Sequence, residues 1–497
     1  MSTLVRAGRA TAPRATGRQA VLLTVLLVAQ FMLAVDFSVL NVALPAIGAG
    51  LHLPLDRLPW IATAFALPAA GLTLLFGRIA DRHGRRRLFL QGLALLAAAS
   101  LLGGLATDPA VLLAARAAQG LATAAVTPAG LALLTTAFPE GPLRERALGL
   151  NGALMSAGFT AGAILGGLLT DLLSWRWAFL VNVPVALAVL LAAPRVLPAD
   201  GDADGPAGGA ARPIEGGRRL GDRRLGDRRR LDVMGASTVT LGLLALVLGL
   251  AGAGQLGRSH PAVIALLLLG AALLAAFPAA ERRAECRSVA PLVPPALLRR
   301  RTVRLGNPIG LLAFLTETSL VYLLTLHLQE VLHFSALAAG LSFGVLGAGT
   351  VLGGTAAPRV VARRGVRGTV LAGGLLQAAA TGALVLLGPD PAWLGLLLPA
   401  TFLGGIGNML VIVGFMLTAT SGLPDREQGT AAGLATMTQQ IGITVGTPVM
   451  SAVVAAAAPA HGLPAGIAVA IAANTALVLA AVLAATRLPG RPADGEA

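Results

Sequence analysis

The chain has no lysine: all 38 basic residues among its 497 are arginine. A phosphate-binding loop of the Walker type needs a lysine after its glycines, so ATP is not an energy source within this chain. There is one cysteine, Cys286, which excludes an intrachain disulfide and a cysteine-based zinc cluster. Aromatic residues make up 4% and charged residues 12%. A soluble chain carries about 25% charged residues, so a soluble globular protein, a disordered chain and a fibre are all excluded. The six histidines (His52, His83, His260, His327, His333 and His461) fall in loops or near helix ends. They show no HExxH or paired spacing, so nothing supports an intramembrane metalloenzyme.

What the chain does have is apolar surface. It is 56% hydrophobic with a mean hydropathy of +0.78, and its 62 glycines and 30 prolines are spread through apolar runs. That composition reads as an all-α membrane protein crossing the bilayer many times. Fourteen stretches reach the roughly 20 apolar residues that a span needs. With the N-terminus placed in the cytoplasm, thirty-four arginines fall on the cytoplasmic side. Only Arg57, Arg176 and Arg258 fall outside, and Arg116 lies within a span. This is the positive-inside bias, so both termini are expected in the cytoplasm. The arginines and the net charge of +15 therefore report topology, and nucleic acid is not expected as a partner. The densest run, Arg218–Arg230, lies in the longest polar segment and reads as a linker touching anionic lipid headgroups.

The expected organisation starts with a cytoplasmic tail at 1–19 and a six-helix bundle at 20–197. A basic cytoplasmic linker follows at 198–232, then two inserted transmembrane helices at 233–280 and a cytoplasmic loop at 281–304. A second six-helix bundle at 305–486 and a tail at 487–497 complete the chain. The halves carry a weak repeat. Residues 77–87 read GRIADRHGRRR and residues 358–368 read PRVVARRGVRG, with Gly84 aligned to Gly365 at an offset of 281. Parallel six-span repeats are a transporter architecture with the ligand site between the halves. The same offset pairs Asp36 with Glu317.

An ionisable group in hydrocarbon costs at least about 2.5–3.5 kcal/mol. Three stand clear of the interfaces: Asp36, Arg116 and Glu317. At 1.5 Å rise per residue they lie roughly 14, 10 and 17 Å inside their helices. They are expected to form a titratable, proton-coupling centre on one shared cavity. Gln30, Asn41, Gln119, Tyr322, Asn408, Gln439 and Gln440 are candidates to line that cavity, although each is also a plausible interhelical hydrogen bond. Gly158, Gly162 and Gly166, with Gly167 beside them, form a stripe on the fifth span that lets a neighbouring backbone approach closely. Gly442 and Gly446 form a shorter stripe.

These motifs together resemble the major facilitator superfamily, in its 14-spanner drug:proton antiporter group (EmrB/QacA type). GRIADRHGRRR resembles the superfamily's signature loop, including Gly77, Asp81, Arg82, Gly84, Arg85 and Arg86. AVDFSVLNVALP at 34–45, RAAQG at 116–120, WRWAFLVNVPV at 175–185, LHLQEVL at 326–332 and DREQGTAAGL at 425–434 resemble further group motifs. The fifth-helix motif departs at one place, where Ala163 stands for the expected proline. The resemblance implies two six-helix bundles plus two extra central helices. It also implies no enzymatic activity and no cofactor, the drive coming from the proton gradient. By the same resemblance the Gly77–Arg86 loop acts as a cytoplasmic latch and Arg116 takes part in proton transfer. Substrate would be a lipophilic, in part cationic, small molecule exported by a monomer across the bacterial cytoplasmic membrane. A proton-coupled or facilitative importer of a small metabolite is the alternative.

Overall fold

The computed structural model describes residues 17–54, 57–138, 142–198, 200, 233–257, 259–286, 295–420 and 425–488. The basic run Arg218–Arg230 and both chain ends lie outside the described residues. A chain this apolar has no water to satisfy its backbone in a membrane, so every long element closes its hydrogen bonds within itself. The elements are α1 (Gly17–Gly50), α2 (Pro59–His83), α3 (Arg85–Gly104), α4 (Pro109–Ala137), α5 (Pro142–Leu172), α6 (Trp177–Leu180) and α7 (Asn182–Val196). They continue as α8 (Val233–Leu256), α9 (Pro261–Cys286), α10 (Pro295–Arg299), α11 (Arg301–Leu326), α12 (Ala336–Ala383), α13 (Leu394–Thr420) and α14 (Asp425–Ala485). A π-turn, His327–Val331, ends α11.

Local sequence sets the boundaries. Asp108 accepts the backbone N–H groups of Ala110 and Val111 at 2.9 and 3.1 Å, and Pro109 fills the first helical position of α4. Gly84 separates α2 from α3 at φ 105°, where an L side chain is strained. Its repeat partner Gly365 breaks α12 at φ 69° and ψ 174°. The two stretches expected at 338–360 and 370–387 are thus two helices that meet at a single-residue break. Gly462 breaks α14 in the same way.

Ten helices among the described residues are long and apolar enough to cross a membrane. The apolar cores of α2, α5 and α8 (Trp60–Thr73, Ala157–Leu172 and Ser237–Leu250) are shorter. In the first half, α1 packs on α5, α2 on α4, and α3 on α4 and α7. In the second, α11 packs on α14 and α12 on α13. The halves meet chiefly where α5 lies against α12. α8 contacts α2 and α14 and pairs with α9, whose Leu268 and Leu269 face outward.

The glycine stripes explain the α1–α5 and α11–α14 contacts. A Cβ on Gly158 would meet the Phe31 carbonyl oxygen at 2.9 Å, and one on Gly162 would meet that of Val35 at 2.8 Å. Gly166 faces the Val39 carbonyl in the same way. In the second half Gly442 and Gly446 face the Leu311 and Leu315 carbonyls at 2.7 and 2.5 Å. The packing therefore pairs Phe31 with Leu311 and Val35 with Leu315, an offset of 280.

Candidate functional site

Asp36 lies midway along α1, fully buried. Its Oδ1 accepts a hydrogen bond from Gln119 Nε2 at 3.0 Å and another from Asn182 Nδ2. Its Oδ2 is 3.4 Å from Arg116 Nη1. The guanidinium also donates to Gln119 Oε1 at 2.7 Å and to the Ile61 carbonyl at 3.3 Å, and it lies 4.3 Å from the centroid of the Phe65 ring. Gln119 Nε2 further donates to Ser100 Oγ at 2.9 Å. Side chains from α1, α3, α4 and α7, with the α2 backbone, thus close around one ion pair. A buried charge is tolerated only when it is paired and hydrogen-bonded, and here both charges are.

Glu317 does not belong to that cluster. It lines a separate cavity with Phe159, Thr160 and Ala163 of α5, Phe343, Leu346, Gly347 and Thr350 of α12, and Met409 of α13. The single shared cavity expected for Asp36, Arg116 and Glu317 is therefore not what the structure has. The reason is a slip of one residue. The loops repeat at 281, but the helix packing repeats at 280, which pairs Asp36 with Thr316 and Phe37 with Glu317. One residue turns a side chain by about 100° around its helix. Thr316 accordingly sits in a neutral counterpart of the Asp36 cluster: its hydroxyl accepts from Gln377 Nε2 at 3.3 Å and its carbonyl from Asn474 Nδ2 at 3.1 Å. Phe37 points toward Phe159, with ring centroids 6.1 Å apart, so both paired positions approach the same ring.

The remaining candidates divide. Gln119 belongs to the Asp36 cluster. Gln30 Nε2 donates to the Thr127 carbonyl at 3.3 Å, and Asn408 Nδ2 to the Ala313 carbonyl at 3.1 Å; both act as interhelical ties. Tyr322 is buried and hydrogen-bonded to Ser451. Asn41 is buried, and Gln439 and Gln440 are partly exposed on α14. None of these lines the Glu317 cavity. Gly167 and Ala163 lie at the meeting of the halves: a Cβ on Gly167 would meet the Leu337 Cα at 2.8 Å, and one on Gly340 would meet the Ala163 carbonyl oxygen at 2.6 Å. At that end Asp171 Oδ2 accepts the Leu337 N–H at 2.9 Å, tying α5 to the start of α12.

The model of the Major Facilitator Superfamily matches residues 26–447, well over half of the chain. The chain belongs to this superfamily. Among curated proteins, a cephamycin export protein, CmcT, of Amycolatopsis lactamdurans is 39% identical over 85% of this chain and 82% of its own length. A puromycin resistance protein, pur8, of Streptomyces alboniger is 39% identical over 86% and 80%. Among solved structures, a mutant of the nucleoside transporter NupG superposes at a TM-score of 0.62, covering 95% of this chain and 99% of that one at 12% identity. That likeness is one of fold alone.

In this superfamily member the signature loop is a single-residue break. The α3 N-terminus is met by Asp200: its Oδ1 and Oδ2 accept the Arg86 and Arg87 N–H groups at 2.8 and 3.0 Å. Arg86 also donates to the Pro194 carbonyl at 2.7 Å, and Arg85 donates to Thr136 Oγ1 at 2.5 Å. The side chains of Asp81 and Arg82 lie outside the described part of the structure. Sequence reasoning missed Asn182, Ser100 and Phe65 around the Asp36–Arg116 pair, Phe159 and Phe343 beside Glu317, and Phe37 between the two groups of rings. Asn182 was available, because it lies inside the WRWAFLVNVPV motif. The rings carried no periodic signal among so many apolar residues.

Proposed function

We propose that this chain is an antiporter of the 14-spanner EmrB/QacA type. It exports lipophilic drugs or antibiotics, cationic ones included, across the bacterial cytoplasmic membrane in exchange for protons. The observation that carries this reading is the pair of relatives named for cephamycin export and puromycin resistance, matched along four fifths or more of both partners. The count of fourteen spans is supported by ten long apolar helices, three shorter ones and the break at Gly365. Cytoplasmic termini are supported by the arginine distribution, and anionic lipids are the natural partners of the linker arginines. The drive needs no cofactor, and the transporting unit is a monomer.

In this mechanism Asp36 is the proton carrier and Arg116 its counterion. Proton arrival neutralises Asp36 and releases Arg116 to its remaining acceptors, Gln119 and the Ile61 carbonyl. That change in pairing is the bistable element by which a proton biases which face of the transporter opens. The α5–α12 contact closes one end of the cycle and the Gly77–Arg86 loop acts as latch at the other.

The test is accumulation of ethidium in cells with and without the gene, with an uncoupler as control. Expression lowers accumulation and the uncoupler restores it. Asp36→Asn inserts normally and loses gradient-driven export. Equal accumulation with and without the gene refutes export, and full export by Asp36→Asn refutes the coupling role.

A further inference from the structure

We infer that Asn182 is a positioning residue of the proton step: it reads the charge on Asp36 and, through α7, sets the hold on the cytoplasmic loop at Arg86. This inference rests on the antiport reading for Asp36 as the proton carrier.

The three donors around Asp36 are not equivalent. Arg116 is the one charged side chain bonded to Asp36 among the described residues, and it is also held by Gln119, the Ile61 carbonyl and the Phe65 ring. Gln119 holds both Arg116 and Ser100, so its amide cannot turn over without losing them. Asn182 is buried, and among the described residues its side chain makes one hydrogen bond, the one to Asp36. An amide suits either state of a carboxyl group. Its N–H donates to the carboxylate, and its oxygen accepts from the protonated acid. Turning from one to the other exchanges a charge-assisted hydrogen bond for a neutral one about half as strong. The hold of Asn182 therefore depends on the proton and on no other side chain. Asn474 of the second half is the contrast: it donates to the Thr316 carbonyl and to Ser319 Oγ, neither of which titrates.

The rest of the span gives that change a direction. α6 and α7 form one apolar stretch, Trp177–Val196, packed on α1 and α3. Its outer end is pinned, because Arg176 donates to the Ala106 carbonyl at 3.1 Å and lies 4.4 Å from the centroid of the Trp175 ring. The cytoplasmic end, roughly 18 Å beyond Asn182 at 1.5 Å per residue, holds the signature loop. In a continuing helix the Pro194 carbonyl would accept the N–H of residue 198, but that residue is Pro198, which has none. Arg86 donates to this carbonyl instead, at 2.7 Å. Just beyond, Asp200 accepts the Arg86 and Arg87 N–H groups. One rod thus carries a proton-dependent bond near its outer end and the loop contacts at its inner end. While Asp36 is charged, Asn182 holds α7 to α1 and the Arg86 contacts are made. A proton on Asp36 weakens that hold, α7 shifts, and the loop loosens.

The experiment follows amide hydrogen exchange of residues 84–90 in the purified full chain in detergent micelles, at one pH and without any gradient. The Arg86 and Arg87 N–H groups report the Asp200 contact. The first turn of α4, where Asp108 holds the Ala110 and Val111 N–H groups, is the reference for overall loosening. Asp36→Asn stands in for the protonated acid. Relative to the reference, it should speed exchange at Arg86 and Arg87 about fivefold or more. In Asn182→Leu the same Asp36→Asn change should add nothing, and in Asn182→Gln, which keeps the amide, part of the response should return. No response to Asp36→Asn in the wild-type background overturns the inference. So does an undiminished response in Asn182→Leu, which is what a merely structural tie would give. Should Asn182→Leu not fold, Asn182→Ser, too short to reach Asp36, carries the same comparison with the same expected outcome. Proton-driven movement of ethidium in everted vesicles separates the two readings. An exchange response without ethidium movement leaves the Asn182 link standing and removes antiport; ethidium movement without an exchange response does the reverse.

Discussion

Asp36 and Arg116 test the physical reading most directly, because their pairing predicts a strongly non-additive result. Replacing Asp36 by Asn puts an amide N–H among side chains that all donate toward it: Arg116, Gln119 and Asn182. It also strands the Arg116 charge, whose side chain is 2% exposed, with only the neutral oxygens of Gln119 and Ile61. Replacing Arg116 by Gln strands the carboxylate in the same way. Each single change leaves one uncompensated buried charge and is expected to cost about 3–5 kcal/mol. The double change strands no charge, so it should cost about 3 kcal/mol in total, far less than the sum of the two. The assay is equilibrium unfolding of the purified protein in mixed micelles with increasing dodecyl sulfate, for all four corners of the cycle. The expected interaction energy is at least about 3 kcal/mol. Additivity to within about 0.5 kcal/mol would refute the ion pair as the organiser of this cluster.

Two further outcomes follow from contacts outside that cluster. Asp200→Ala removes both side-chain acceptors at the α3 N-terminus, so thermal unfolding should register a loss of about 0.5–2 kcal/mol with membrane insertion intact; an unchanged midpoint means that water serves those N–H groups equally well. Gly162→Leu places a side chain where even a Cβ is 2.8 Å from the Val35 carbonyl oxygen and 2.9 Å from the Ser38 Cβ. It should destabilise by about 1–3 kcal/mol or more and abolish export, whereas wild-type unfolding and transport would contradict the close α1–α5 approach.

Composition made the membrane class legible, and glycine spacing made the α1–α5 contact legible, because both depend on residue type alone. The repeat was visible at Gly84 and Gly365 for the same reason: only glycine suits their positive φ, so the signal sits in the letters. Helix rotation was not legible. The loops align at 281 and the packing at 280, and no count along the chain reveals a one-residue difference that is absorbed between them. Sequence placed Asp36, Arg116 and Glu317 at similar depth along their helices, but depth along an axis says nothing about azimuth. The surroundings of Asp36 were only partly visible, since Ser100, which accepts from Gln119, and the donor Asn182 come from helices far apart in the chain, and only Asn182 stands inside a motif. Asp200 lies at the edge of a polar linker, where nothing marks one aspartate as the partner of α3.

That one-residue slip has a physical reason in what the second half lacks. Around Asp36 the amide donors are Gln119 and Asn182; around Thr316 they are Gln377 and Asn474. Each half therefore supplies amide donors around this position, although the offset does not relate Gln377 to Gln119 or Asn474 to Asn182. The arginine has no counterpart: the offsets that relate the halves carry Arg116 to Leu396 or Leu397. A carboxylate at 316 would find hydrogen bonds but no countercharge, and Thr316 is only 1% exposed. Thr316→Asp should consequently destabilise the protein by about 2.5 kcal/mol or more, the least that an unpaired charge costs at membrane depth. Neutral Thr316→Asn, similar in shape, should cost clearly less. The measurement is the same micellar unfolding series, with Glu317 left in place. If Thr316→Asp and Thr316→Asn unfold alike, the charge is not what excludes acids from that site. The missing arginine would then not explain why the acid of the second half lies one position on, facing the cavity.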